Sequence, residues 1–279
     1  MLVGAALQLD PLWVHRELLA AIVGGLIMAE MAYMAWARGR SPSIAQTAND
    51  SVIFAVNLAE RGATVALRFG LFAWLARFAP VRWEVGIGSA AAAYVLIDFI
   101  YYWKHRLFHQ TRLGWALHST HHSSESLNFL ATFRLNWIEA ALSYLFFAPL
   151  ALLGFDPWLL LMLIEINDGW QMVCHTELPS PSRWLDRWFN TPNNHRVHHA
   201  RDTALHDRNY GSTLMLWDQL FGTYLPGRAQ VECGLPDRRL GNLLSIQFGP
   251  LWSLIRGASR RNQPPSPGST AARTSKARA

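Results

Sequence analysis

The chain has 279 residues, of which 51% are hydrophobic and only 16% charged, and its formal net charge is +6. This balance excludes a disordered chain and is unusually apolar for a soluble one. The excess charge, which would otherwise point to a nucleic-acid partner, sits at one end: Arg256, Arg260, Arg261, Arg273, Lys276 and Arg278 lie beyond residue 255 with no acid among them. Taking those six from the 25 Lys and Arg leaves 19, equal to the 19 Asp and Glu, so the body is formally neutral and no nucleic-acid partner is expected.

The first 16 residues include Asp10, Pro11, His15 and Arg16 and lack the basic start and small-residue cleavage site of a signal peptide, so the apolar run after them is expected to be retained. Runs near the roughly 20 residues that cross hydrocarbon then recur. Leu18 to Ala37 carries only Glu30 as a charge, and Val85 to Trp103 only Asp98. Between them, Ser51 to Phe78 is interrupted by Glu60, Arg61 and Arg68; it either spans with Arg68 buried against another helix or lies flat in the interface. Trp137 to Phe155, with Glu139 near its start, and Pro157 to Val173, with Glu165 and Asp168, read as a helical hairpin turning at Gly154-Phe155-Asp156-Pro157.

The expected fold is therefore all-α: a polytopic helical membrane bundle of four to five spans with a histidine-rich helical cap. Lys104, Arg106, Arg112 and Arg134, together with Arg38, Arg40 and the arginines after residue 177, put the cap on the cytoplasmic side, and five spans with the N-terminus outside fit best. Trp83, Tyr101, Tyr102, Trp103, Trp137, Trp158 and Trp170 crowd the ends of the runs, as an interfacial belt does. The competing fold, a soluble all-helical protein, needs several helices apolar all round in a short chain. Four segments follow: membrane helices over 1–84, a catalytic domain over 85–227, an extension over 228–261, and a disordered basic tail over 262–279 rich in Pro, Ser and Arg.

Cys174 and Cys233 are too few for a disulfide framework or a thiolate zinc site. The histidines carry the chemistry. Eleven occur, and nine fall between 105 and 199. His105 and His109 in HRLFH are one helical turn apart, and His118, His121, His122 in HSTHH and His195, His198, His199 in HRVHH repeat an i, i+3, i+4 spacing that gathers imidazoles on one helix face. His175 stands alone at the end of the fourth firm run, while His15 and His206 have no partner at helical spacing. A lone HxxxH is weak, but three such groups beside predicted membrane helices point to metal. Nine imidazoles exceed one four-coordinate ion, and divided between two they give four or five each. Imidazole suits iron, zinc, copper and nickel alike; a redox-capable pair at a membrane face points to oxygen chemistry on a lipid, for which iron is the economical choice.

HRLFH, HSTHHSSE, CHTEL, TPNNHRVHHARD, NYGSTLMLWD and LFGTY, in this order, resemble the fatty acid hydroxylase / sterol desaturase superfamily of integral membrane di-iron oxygenases, from about Asp98 to Tyr224. The resemblance implies that His105, His109, His118, His121, His122, His195, His198 and His199 bind two iron ions with His175 as a ninth ligand. It places Asp202, Asp207, Asn209, Tyr210, Trp217 and Asp218 where hydrogen bonds to ligand imidazoles are expected. It implies dioxygen as co-substrate and hydroxylation, or else desaturation, of an unactivated C–H bond in a sterol, fatty acyl, carotenoid or related lipid. No flavin, haem or nucleotide motif accompanies it, so a separate electron-donor chain is expected. One departure is Asn136, where many relatives carry a histidine. A histidine-lined metal transporter and a catalytically silent membrane scaffold are the readings from other classes.

Overall fold

The structure is a computed structural model, and it describes residues 11–38, 43–236 and 241–257. The basic tail over 262–279, the N-terminal ten residues and Arg40 lie outside the described residues. The chain divides into two compact units, residues 1–43 and 44–279. The first holds one helix, α1 (Pro11–Arg38).

The second unit contains α2 (Ile44–Ala76), α3 (Ile87–Gln110), α4 (Arg112–His118), α5 (Trp137–Leu142), α6 (Pro149–Leu152), α7 (Pro157–Cys174), α8 (Arg183–Trp188), α9 (Pro192–His198), α10 (Leu216–Leu220) and α11 (Leu243–Ile255). Short 3-10 turns cover His121–Ser123, Phe129–Phe133, Ser143–Phe147 and Thr203–Leu205. Among the described residues every regular element is helical, and the only extended pairing is two isolated bridges, as expected of an all-α fold.

The helix boundaries follow from local chemistry. Asp156 caps α7 by accepting from the Leu159 amide at 2.9 Å, with Pro157 in the first turn. Thr191 and Pro192 repeat that arrangement at α9, and Thr111 and Asn136 cap α4 and α5. Gly154 turns the chain between α6 and α7 at φ +90°, and a Cβ there would meet the Val81 carbonyl oxygen at 1.9 Å.

α2, α3, α6 and α7 share one apolar core built from Phe72, Ala93, Ile97, Leu150, Leu160 and Leu163 with their neighbours. α3 changes character along its length. Its first half is small and apolar. Its second half presents Asp98, Tyr102, His105 and His109, spaced i, i+4, i+7, i+11 and all buried, as one polar stripe.

One expectation finds no support, and one needs correction. Among the described residues no helix is long and apolar enough to cross a membrane, so the count of four to five spans finds no support. Several charges within these helices are paired: Arg68, 7% exposed, meets Glu60 at 2.9 Å, and the partly exposed Arg61 meets Glu165 and Asp168 at 2.7 Å each. The Trp137 to Phe155 run is also not one helix. It breaks into α5, a 3-10 turn and α6, with Pro149 opening the last piece and Gly154 ending the run.

Candidate metal centre

The eight histidines expected from spacing and the lone His175 all come together, in two groups. His105, His109, His118, His122 and His198 form one, and His121, His175, His195 and His199 the other; within each group the potential ligand nitrogens lie within 4.8 Å of one another, and all nine residues are buried. The assignment corrects the single-face reading of the HxxHH motifs. His121 and His122 lie in a 3-10 turn after α4, and His199 caps the end of α9. Each motif gives its i, i+4 pair to one group and its middle histidine to the other: His118 and His122 against His121, and His195 and His199 against His198. Adjacent residues on a helical turn point about 100° apart, so two consecutive imidazoles diverge. The groups touch where His122 and His199 stack, ring centres 4.2 Å apart at 18°.

The orientation of the rings is set by their outer nitrogens. His105 Nδ1 meets the Tyr210 carbonyl at 2.9 Å, His198 Nδ1 the Arg208 carbonyl at 2.8 Å, His175 Nδ1 the Gln171 carbonyl at 2.7 Å, and His118 Nδ1 the Glu139 carboxylate at 2.8 Å. With Nδ1 donating, Nε2 keeps its lone pair. In the five-histidine group Nε2 of every member is buried without a hydrogen-bond partner. In the four-histidine group Nε2 atoms face each other, His175 to His121 at 3.0 Å, His195 to His175 at 2.9 Å and His199 to His195 at 3.1 Å. Two nitrogens each about 2.1 Å from one ion and at right angles around it lie about 3.0 Å apart. Converging lone pairs repel unless a cation lies among them, so both donor sets fit a bound metal ion.

Electrostatics agree. Burial, with neighbouring imidazoles adding to it, pulls His105, His109, His121, His122, His195 and His199 well below the usual imidazole range. Burial brings His175 to about 4 and His198 to about 3. At neutral pH these rings are uncharged, the form that ligates.

The loop over 207–218 explains much of the expected outer ring. Asp207 and Asn209 adopt positive φ (59° and 57°), which these residue types tolerate, and so turn the Arg208 and Tyr210 carbonyls onto His198 and His105. Tyr210 also lays its ring 5.2 Å from His109 and donates its hydroxyl to Asp207 at 3.0 Å. Asp207 approaches His109 Nδ1 at 3.8 Å. Asn209 reaches no histidine; it donates to the Asn194 and Leu225 carbonyls and pins the loop. Asp218 does likewise, accepting from the amides of Tyr210 and Gly211 at 2.8 and 2.7 Å and from the Thr223 hydroxyl at 2.6 Å. Trp217 donates to Asp98 at 2.8 Å. Asp202 only caps a 3-10 turn, through the Ala204 amide. His206 stays outside both groups and meets the Ala200 carbonyl.

Several supporting residues were not foreseen. Glu139 is one, and the signal was present as a charge inside an apolar run. Asp98, another such charge, accepts from the amides of Thr213 and Leu214 and fixes the far end of the 207–218 loop. Arg134 is wholly buried, pairs with Asp50, and donates to the Thr120 carbonyl and the Ser123 hydroxyl, which frames the turn carrying His121 and His122. Asn136 caps α5 and donates to the Gln247 carbonyl.

A cleft with about 1070 Å³ of unfilled space, its open mouth included, runs between α2, α3, α5 and α7 and reaches both groups: His105, His118, His121 and His175 line it. Its walls are mostly apolar, with Phe54, Leu58, Phe108, Phe133, Leu135 and Phe147 among them.

Residues 90–223 match the family model described as fatty acid hydroxylase. Among curated proteins, the alkylglycerol monooxygenase of Homo sapiens is 38% identical over 164 residues, 58% of this chain and 37% of that protein. That of Xenopus tropicalis is 40% identical over 142 residues, 50% of this chain and 31% of that protein. The ornithine lipid hydroxylase OlsE of Rhizobium tropici is 32% identical over 148 residues, 53% of this chain and 44% of that protein. The chain thus spans about a third of the length of the alkylglycerol monooxygenases it matches. No solved structure matches. The matched residues carry all nine gathered histidines, and over residues 90–223 this chain belongs to the fatty acid hydroxylase family.

Proposed function

We propose that the nine histidines bind two iron ions and that the protein is a membrane-bound lipid monooxygenase, taking dioxygen and two electrons from a separate donor chain to hydroxylate an unactivated C–H bond. The observation that carries this reading is the convergence of nine buried imidazoles into groups of five and four beside one apolar cleft. Bound iron would supply the oxygen chemistry that no side chain in the cleft can provide. His105, His109, His118, His122 and His198 would hold one ion, and His121, His175, His195 and His199 the other.

The chain's own contribution is placement. Glu139 and the carbonyls of Tyr210, Arg208 and Gln171 fix the tautomer and aim of His118, His105, His198 and His175, so the ligands are ordered before metal arrives. The aromatic and leucine walls of the cleft would take an alkyl chain and keep water from the reacting carbon. Hydroxylation is preferred to desaturation because the two kinds of relative are named as a monooxygenase and a hydroxylase. Those names, alkylglycerol and ornithine lipid, speak for a substrate with a polar head and a long chain.

Membrane attachment is part of the proposal. On α7, Trp158, Met162 and Ile166 recur every four residues on the exposed side, opposite the buried Leu160, Leu163 and Ile164. A helix apolar on both faces requires lipid or a partner on the outer one. We place the histidine groups on the cytoplasmic side from the arginine-rich loops, with residues 85–227 as the catalytic part.

The test is untargeted lipid mass spectrometry of cells expressing the intact chain or His121→Ala. A lipid gaining one oxygen only with the intact chain is expected; a lipid losing two hydrogens would convert the reading to desaturation. No lipid difference, with both proteins present in membranes, contradicts it.

A further inference from the structure

Five charged groups other than the histidines line the cleft: Arg61, Arg68, Lys104, Glu139 and Asp168. Four are matched. Arg61 meets Asp168 at 2.7 Å, Arg68 meets Glu60 at 2.9 Å, and Glu139 accepts from His118 at 2.8 Å. Lys104 is different. Its ammonium nitrogen lies 4.5 Å from the centre of the Tyr101 ring and 5.7 Å from that of Phe147, and it has no hydrogen bond or ion pair with any described residue. Aromatic faces hold a cation but leave its N–H donors unmade, and because Lys104 is half-buried in an open-mouthed cleft those donors can turn from solvent to a ligand that enters.

The position of Lys104 decides what it can meet. Lys104 immediately precedes His105 on α3, about 1.5 Å along the helix axis, and lines the same cleft as His105, His118, His121 and His175. Asp168 and Glu139 line the same cleft, but each is already engaged, by Arg61 and by His118. An incoming oxygen acceptor would therefore find an ammonium with donors to spare. An incoming amine would meet a like charge.

We propose that Lys104 donates to an oxygen on the polar head of the substrate, so that the lipid is held by its head beside the histidine groups and is oxidised at one of the first carbons of its chain. The ligand class is a lipid whose head offers an oxygen acceptor, whether carboxylate, glycerol or ester, and a head whose only polar group is a cationic amine is excluded. This rests on the reading of the cleft as the lipid site. Because Lys104 lines the same cleft as His105, His118, His121 and His175, a lipid held there by its head presents a fixed part of its chain to the histidine groups, and the anchor sets the position of oxidation as well as the head preference.

The test uses the purified full chain in detergent, kept anaerobic, with a fluorescent fatty acid displaced by hexadecanoic acid, 1-O-hexadecylglycerol or hexadecylamine. The parent is expected to bind the two oxygen-headed probes roughly tenfold or more tighter than the amine, the factor one charge-assisted hydrogen bond supplies. Lys104→Met is expected to erase that difference at unchanged metal content and helicity, and Lys104→Arg to keep it; if the Met variant does not fold, Lys104→Gln serves in its place. Where turnover is reconstituted, the parent should oxidise 1-O-hexadecylglycerol at one site near the head and the Met variant at several. Equal binding of all three probes by the parent, or an unchanged order of affinities in the variant, overturns the assignment to Lys104 while leaving the cleft as the lipid site. Binding of none of the probes overturns both.

Discussion

Glu139→Gln isolates the effect of one carboxylate on one donor set. The carboxylate is 3% exposed and accepts from His118 Nδ1 at 2.8 Å, while its other oxygen has no partner. Glutamine keeps the shape and can still accept, so the fold should survive, but a neutral acceptor lowers the basicity of the imidazole. Outer partners of this kind are worth about 10–100-fold in metal affinity, which is about 1.4–2.7 kcal/mol. Only the group of His105, His109, His118, His122 and His198 contains the affected ring. Metal loss to a competing chelator should therefore become biphasic, one ion leaving 10–100 times more readily and the other as in the parent. Unchanged release of both ions would refute the role given to Glu139, and equal weakening of both would refute the division into two separate groups.

Three further outcomes follow from the same geometry. His175→Ala should remove a member of the four-histidine group and lower bound metal from two ions toward one, measured by metal analysis of protein that remains helical. Arg134→Met leaves Asp50, 1% exposed, as a buried unpaired carboxylate, and should cost about 3–5 kcal/mol in chemical denaturation. The metal-free protein should be acid-sensitive. An unfolded histidine titrates near 6.5 whereas folded His175 titrates near 4, so unfolding takes up protons below pH 6.5 and stability falls as pH drops from 6.5 toward 4. The loss is on the order of 3 kcal/mol for His175 alone, and a denaturation midpoint flat across that window would contradict the depressed value.

The candidate site was legible in sequence because its residue type is rare and its spacing regular. HRLFH, HSTHH and HRVHH supplied eight of the nine gathered residues, and His175 came from its place at the end of an apolar run. The division between groups was not read, although the adjacent pairs His121-His122 and His198-His199 contained it: neighbours on a helical turn diverge. Glu139 and Arg134 were beyond spacing rules, since Glu139 reaches His118 across 21 positions and Arg134 reaches Asp50 across 84. Among the outer residues, Asp207 and Tyr210 do approach histidines. Asp218 and Asn209 instead act on the loop backbone, which a sequence shows only as short polar residues near a glycine. The all-helical class was readable from apolar runs. The count of four to five spans rested on run lengths alone, and among the described residues no helix is long and apolar enough to cross a membrane.

The central claim is two iron ions held by nine histidines, and the most direct measurement is metal content per chain after anaerobic reconstitution with ferrous iron. The account predicts about two irons per chain, falling toward one in His175→Ala, with oxygen uptake that requires both a lipid and a reductant. Stoichiometric zinc with no retained iron, or iron content indifferent to His175 and His105 substitutions, would contradict it.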